Sequence, residues 1–238
     1  LRSFLTFYNL KSAIMKFLKF TLLAITFSFI FLSVNSQKKQ SDKIRYSTEV
    51  LREFSKLKEK IPEELFSITE GIIIIPNMIN VGLGVAGKRG KGIAIVKNAN
   101  GSWSNPAFVT LTGGSAGLQA GVQSVDLILL FKQRETLSNI GKGSFTLGGD
   151  ISITAGPLGR NSTASTDYKL EAEVYSYSKS KGLFAGISLS GSSLSIDEDA
   201  AKNFYGRDVS SATIFHESRK SNLNETKQIK QVLTSLFR

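Results

Sequence analysis

"VGLGVAGKRGKGIAIV", residues 81–96, decides how the rest of the chain is read, because it satisfies one nucleotide-binding spacing and nearly satisfies another. Gly82, Gly84 and Gly87 spell G-x-G-x-x-G, and Gly82 to Lys88 spell G-x-x-x-x-G-K. A dinucleotide cradle needs a helix after the glycines and an acid about twenty residues on for the ribose. Here Gly87 is followed by "KRGKGIAIV", glycines and β-branched residues that suit a strand, and no Asp or Glu occurs between Glu70 and Asp126. The Walker spacing fails at Arg89, which stands where a hydroxyl should bind magnesium. The stretch therefore reads as a glycine-rich β-hairpin whose "GKRGKG" forms a cationic turn of Lys88, Arg89 and Lys91.

Its surroundings continue the β reading. Ile72 to Ile75 form a buried-strand run, and "GIAIVKNANGSWSNPAFVTLT" (92–112) places an Asn-Gly turn between two apolar stretches. "SVDLILLFK", "SFTLGGDISITAG", "YKLEAEVYSYS" and "GLFAGISLSGSSLSI" extend the pattern to residue 196. An amphipathic helix is expected over 42–60, with Tyr46, Val50, Phe54, Leu57 and Ile61 on one stripe and its basic residues, among them Arg52, Lys56 and Lys60, largely off it. Short helices are expected over 135–140 and 198–205, the second opened by Asp197, Glu198 and Asp199. A terminal helix begins with the capping box Asn222 to Glu225 and carries Ile229, Val232, Leu233, Leu236 and Phe237 on one face. The expected fold class is α+β: predominantly antiparallel β, barrel-like or a two-layer sheet, with a flanking N-terminal amphipathic helix and a C-terminal helix.

Met15 to Ser36 have the grammar of a secretory signal, with Lys16 and Lys19 before the apolar run Phe20 to Val34 and small residues before Gln37. The organisation read from the chain is an upstream segment 1–14, a signal peptide 15–36, a domain over 42–206 and a helical tail over 207–238. Localisation is expected to be exported, periplasmic or secreted, with peripheral membrane association. Cysteine is absent, which excludes a lipid-modified lipoprotein and any disulfide framework. Removing Arg2, Lys11, Lys16 and Lys19 lowers the net charge from +11 to +7. A cationic exported chain is drawn to anionic surfaces, phospholipid headgroups first. Nucleic acid is not expected as a partner, given export and no recognised binding motif.

Two catalytic look-alikes fail. "GGSAG" (113–117) matches G-x-S-x-G with Ser115 as nucleophile, and Asp150 and His216 follow in hydrolase order, but "LQAGVQSVDLILLF" continues as strand where the motif requires a helix. His216 is the only histidine, so with no cysteine ordinary zinc ligation is excluded. No cofactor, no metal and no catalytic residue is expected, and a serine hydrolase is only the minor alternative. Lone Trp103 reads as a core aromatic at a strand start.

Five ordered pieces carry a resemblance: "GIIIIPN" (71–77), "GKGIAIVKNANGSWSNPAFVTLTGGSAGLQAGVQSVDLILL" (90–130), "FTLGGDISITAGPLGR" (145–160), "YSYSKSKGLFAGISLSGSSLSID" (175–197) and "NFYG" (203–206). Together they resemble the SYLF domain family over roughly residues 45–206. The resemblance implies a non-enzymatic lipid-binding module and, for an exported chain, anionic phospholipid rather than the actin bound by some fungal members. It places family positions on Lys91, Trp103, Ser104, Gln119, Asp126, Arg160, Lys181, Tyr205 and Gly206. Most of these could be structural; Asp126 in an apolar strand needs a basic or backbone donor. The lipid-facing expectation rests separately on Lys88, Arg89 and Lys91 in the turn and Arg52, Lys56 and Lys60 on the helix. A cell-envelope scaffold with an acidic protein partner is the alternative.

Overall fold

The computed structural model describes residues 37–57, 61–157, 170–180, 183–184, 187–206, 209–216 and 223–237. The chain divides into units Leu1–Gln40 and Ser41–Arg238; of the first only 37–40 are described, as helix, and the second is the subject below. The expected signal peptide and upstream segment lie outside the described residues.

Strands β1 (Gly71–Val96) and β2 (Ala107–Phe131) pair antiparallel from Gly71↔Phe131 to Ala94↔Ala107. At 26 and 25 residues they are several times the usual strand length. A flat ribbon of that size has nothing to bury its apolar faces against, and this one folds back on itself. A Cβ built on Gly92 would stand 2.0 Å from the Ile74 carbonyl oxygen, and one on Gly90 2.5 Å from Ile75 Cγ2. Residues 90–92 thus cross directly against residues 74–78 of the same strand, an approach open only to glycine. The ribbon has a near arm (71–78 with 125–131), a far arm (88–96 with 107–113) and a middle between them.

The expected hairpin within 81–96 is corrected: the whole stretch is one strand, and no turn forms at "GKRGKG". Thr110 to Gly113 pair with Lys88 to Lys91, so these residues continue the ladder, and the glycines serve close packing rather than reversal. The chain reverses instead at the Asn-Gly turn, where Gly101 takes φ +78° and the Asn98 N–H donates to Ser102 O at 2.7 Å.

Pro76 has no N–H to give a ladder, and the register slips between Ile75 and Met78. Asn77, at φ 50°, sends its N–H to the Asp126 carboxylate at 2.9 Å. A second slip, between Leu83 and Gly84, leaves Leu118 and Gln119 without counterparts on β1.

The remaining strands are β3 (Phe145–Leu147), β4 (Ile153–Ala155), β5 (Val174–Ser180), β6 (Leu183–Phe184) and β7 (Ser192–Ile196). On the edge away from β1, β2 pairs with β5 along the near arm and with β7 along the far arm. The order β3-β7-β2-β5-β4, with β1 added on β2 and β6 on β5, makes a barrel-like sheet of seven described strands, antiparallel except for β4 with β5. With its flanking helices this is the α+β class expected from the sequence.

The helices are α1 (37–55), α2 (Glu63–Ser67), α3 (Arg134–Ser138) running into a 3₁₀ turn (Asn139–Lys142), α4 (Glu198–Tyr205), α5 (Ser211–His216) and α6 (Asn224–Leu236). Leu51 and Phe54 of α1, Phe66 of α2, Leu236 of α6 and Phe237 gather over Ile72, Ile128 and Leu130. Ile72 to Ile75 are wholly buried, each contributing about 1.5–3 kcal/mol relative to exposure. Pro62 stands at the N-cap of α2, and helix α1 is described from residue 37 and ends at 55, both earlier than the 42–60 expected. Its buried face is Ile44, Val50, Leu51 and Phe54, whereas Tyr46 lies exposed beneath the Arg45 guanidinium. Helix α5, within the 207–238 tail, buries Ile214 and Phe215. In α6 the N-cap is Leu223, without a side-chain cap bond; Asn222 of the expected capping box lies outside the described residues.

Candidate functional site

Strand alternation sorts the three cations expected at one tip. Lys88 points inward, buried, and its ammonium donates to the Ser188 carbonyl, while Arg89 is exposed. Burial pushes the Lys88 ammonium below the usual lysine range. Lys91 returns to the outer side, where its Nζ meets Asp197 at 2.6 Å. Asp197 in turn caps α4, accepting from the Ala200 N–H at 3.1 Å. As a shared cationic tip the three residues are corrected: a strand sends neighbours to opposite faces, so Lys88 cannot join Arg89 and Lys91.

A second lysine, which the sequence did not single out, organises the opposite arm. Lys179 of β5 is buried and makes an ion pair with Glu53 of α1, stands 3.9 Å from Asp126 and lies 5.8 Å from the Phe54 ring centroid. Asp126 thus answers both the orphan N–H of Asn77 and a buried ammonium. Phe54 packs edge-on against Phe184 of β6 with centroids 5.8 Å apart. These contacts fix the end of α1 beside the β5–β6 hairpin. Only the strand register Asp126↔Lys179 could have revealed the cluster, and register requires strand order.

The acids of α1 are all engaged: Arg45 bonds Asp42 at 3.1 Å and Glu49 at 3.2 Å, and Glu53 holds Lys179. Arg52, in the last turn of the helix, and Lys56, just after it, are exposed, and no carboxylate among the described residues answers either. Close by, the middle of the ribbon exposes apolar side chains: Ile79 at 42%, Val122 at 73% and, on β6, Leu183 at 74%. Arg52 and Lys56 lie two residues either side of Phe54, whose ring meets Phe184, the neighbour of Leu183.

The other family positions are structural where they are described. Trp103 is buried and meets Phe237 edge-on at 5.2 Å. Ser104 accepts from the Val96 N–H, Tyr205 donates to Pro106 O at 2.8 Å, and Gly206 ends α4 at φ +70°. Lys60, Arg160 and Lys181 lie outside the described residues, as do the side chains of Gln119, Ser115 and His216. Gly113 to Gly117 lie within β2, so the strand-to-helix turn of a hydrolase nucleophile is not formed there. Among the described residues no group of three acids or histidines could hold a metal ion.

A family model described as "Las17-binding protein actin regulator" matches residues 112–236. The chain is 32% identical over 171 residues to the SH3 domain-containing YSC84-like protein 1 of Xenopus laevis, covering 69% of this chain and 51% of that protein. It is 32% identical over 177 residues to LAS seventeen-binding protein 3 of Saccharomyces cerevisiae, covering 73% and 38%. It is 34% identical over 180 residues to an SH3 domain-containing protein of Schizosaccharomyces pombe, covering 74% and 42%. The chain thus spans about half or less of the length of these curated relatives, of which one is named for binding LAS seventeen and two for an SH3 domain.

Proposed function

Because the chain belongs to the Ysc84 (SYLF) family, we propose that it is a non-enzymatic module that binds anionic phospholipid surfaces through the cationic end of α1. The observation that carries this reading is the charge pairing on that helix. Its three acids are held by Arg45 and Lys179, which leaves Arg52 and Lys56 facing solvent beside exposed apolar residues. Each such cation near an anionic leaflet contributes about 1 kcal/mol, and Arg89 adds a third where it reaches the surface. With the export signal read in residues 15–36, the surface is one met after secretion.

Co-sedimentation of the full chain with phosphatidylcholine vesicles, with and without phosphatidylglycerol, tests the reading across ionic strength. Binding is expected only with the anionic lipid, weakening as salt rises, and Arg52→Gln with Lys56→Gln should lower it about thirtyfold. Equal binding to neutral and anionic vesicles would overturn it. A protein partner is the second reading, favoured by a relative named for binding Las17; its signature is a co-purifying protein without vesicle selectivity.

A further inference from the structure

Singly exposed apolar residues are ordinary on a protein surface. Ile79 and Val122 differ because they lie beside Ser124 on one face of the ribbon, while Leu183 stands on the opposite face at the hairpin that meets Ser124. Ile79 opposes Ser124 across the ribbon, Val122 lies two residues before it on the same face of β2, and Val81 opposes Val122. The Ser180 hydroxyl donates to Ser124 O at 3.3 Å, and Ser180 pairs with Leu183, which brings β6 alongside. No charged residue occurs from Gly71 to Gly87 or from Ala107 to Val125, so the whole paired middle of the ribbon is uncharged.

We infer that this uncharged middle, with Ile79, Val122 and Leu183 at its surface, is a shallow wedge that enters the hydrocarbon edge of a bilayer. The inference rests on the surface-binding reading above. What selects a membrane as the occupant is the arrangement of charge. Phe54 against Phe184 and Glu53 on Lys179 hold the end of α1 at the β5–β6 hairpin, so Arg52 and Lys56 border the strip as headgroup-seeking cations. Apart from the slip at Leu118 and Gln119, the ladder from Val81↔Val122 to Gly87↔Gly114 pairs the two strands of the middle with each other. Outward N–H and C=O groups still need water or headgroup partners, which sets the depth at the interface rather than the bilayer centre. Among the described residues no helix is long and apolar enough to cross a membrane.

The chain has no cysteine, so Val122→Cys or Leu183→Cys creates a unique site for an environment-sensitive fluorophore, and Gln231→Cys on α6 serves as the control. With phosphatidylcholine/phosphatidylglycerol vesicles, labels at 122 and 183 are expected to shift to the blue and to be quenched by shallow acyl-chain quenchers, while 231 stays aqueous. Val122→Ser with Leu183→Ser should weaken partitioning about tenfold without changing its dependence on salt. Arg52→Gln with Lys56→Gln should flatten that dependence. Sedimentation with vesicles while both labels remain aqueous overturns the wedge and leaves surface binding intact; loss of all vesicle binding removes both. A blue shift that follows protein concentration without lipid assigns the strip to a second copy of the chain and also overturns the wedge.

Discussion

The arms of the ribbon and its middle are built from the same two strands, on the same antiparallel ladder, yet their aliphatic residues end in opposite environments. Ile72 to Ile75, Ile93 to Val96 and Leu127 to Phe131 are at most 1% exposed, whereas Val122 is 73% exposed. What differs is cover. The near arm lies under α1, α2 and the end of α6 and beside β5, and the far arm is pressed against the near one and flanked by β7. Hydropathy along a strand therefore signals burial only where the topology brings a second layer to it.

Two glycines on β1 put the largest numbers on that contrast. Gly92, in the far arm, would direct an added Cβ to within 2.0 Å of the Ile74 carbonyl, a backbone atom that cannot rotate away, whereas Gly87, at the edge of the middle, has no atom within 4 Å of its Cβ position. Gly92→Ala is expected to cost about 3 kcal/mol or more, and Gly87→Ala to stay within about 0.5 kcal/mol of the parent. Urea midpoints compare them directly. Equal shifts would mean that the arms are not in contact as described.

The sequence showed the arms far better than it showed their arrangement. Ile72 to Ile75, the Asn-Gly reversal at 100–101 and the acidic start of α4 were legible because each depends on local preference: apolar runs, positive φ and a helix dipole. Residues 81–96 misled, because a glycine that admits a neighbouring backbone and a glycine that turns the chain leave the same mark in sequence. Asp126 was legible as a residue in need of a donor, while its donors, Asn77 and Lys179, lie 49 residues before it and across a strand pair. The exposed cations Arg52 and Lys56 were within reach of a helical period. Lys88 was not, since its burial follows from the register of one continuous strand.

Lys179, at the boundary between the near arm and the middle, offers a smaller effect of the same kind. Lys179→Met keeps the stem against Phe54 but removes the ammonium from between Asp126 and Glu53. Glu53 is 59% exposed and loses little. The cost falls on Asp126, left half-buried without a counter-charge, and is expected to reach about 1–2 kcal/mol. Arg89→Met, on the exposed side of β1, should change stability by less than about 0.5 kcal/mol. If the two variants unfold at the same denaturant concentration, the distinction between tied and free cations fails.

The smallest effect belongs to Asp197, which ties the far arm to α4. Burial by itself raises its carboxyl pKa, but the hydrogen bonds from Lys91 and the Ala200 N–H, with the charges of Lys91 and Lys43, more than reverse this and leave it below the usual carboxylate range. A group held below its unfolded value stabilises the fold in full above that value, about pH 4, and loses the contribution as pH falls through the folded one. Asp197→Ala removes both cap and charge and should cost about 1 kcal/mol near neutrality. Asp197→Asn keeps an oxygen for the Ala200 N–H and loses only the pairing with Lys91, which is 47% exposed, so its cost should be a few tenths of a kcal/mol. As pH falls from neutrality through the folded value, the parent's carboxylate is itself protonated, so the gap between parent and Asn variant should narrow while the Ala variant stays less stable. A gap that is unchanged over that range would mean that Lys91 is held to α4 by packing and not by charge.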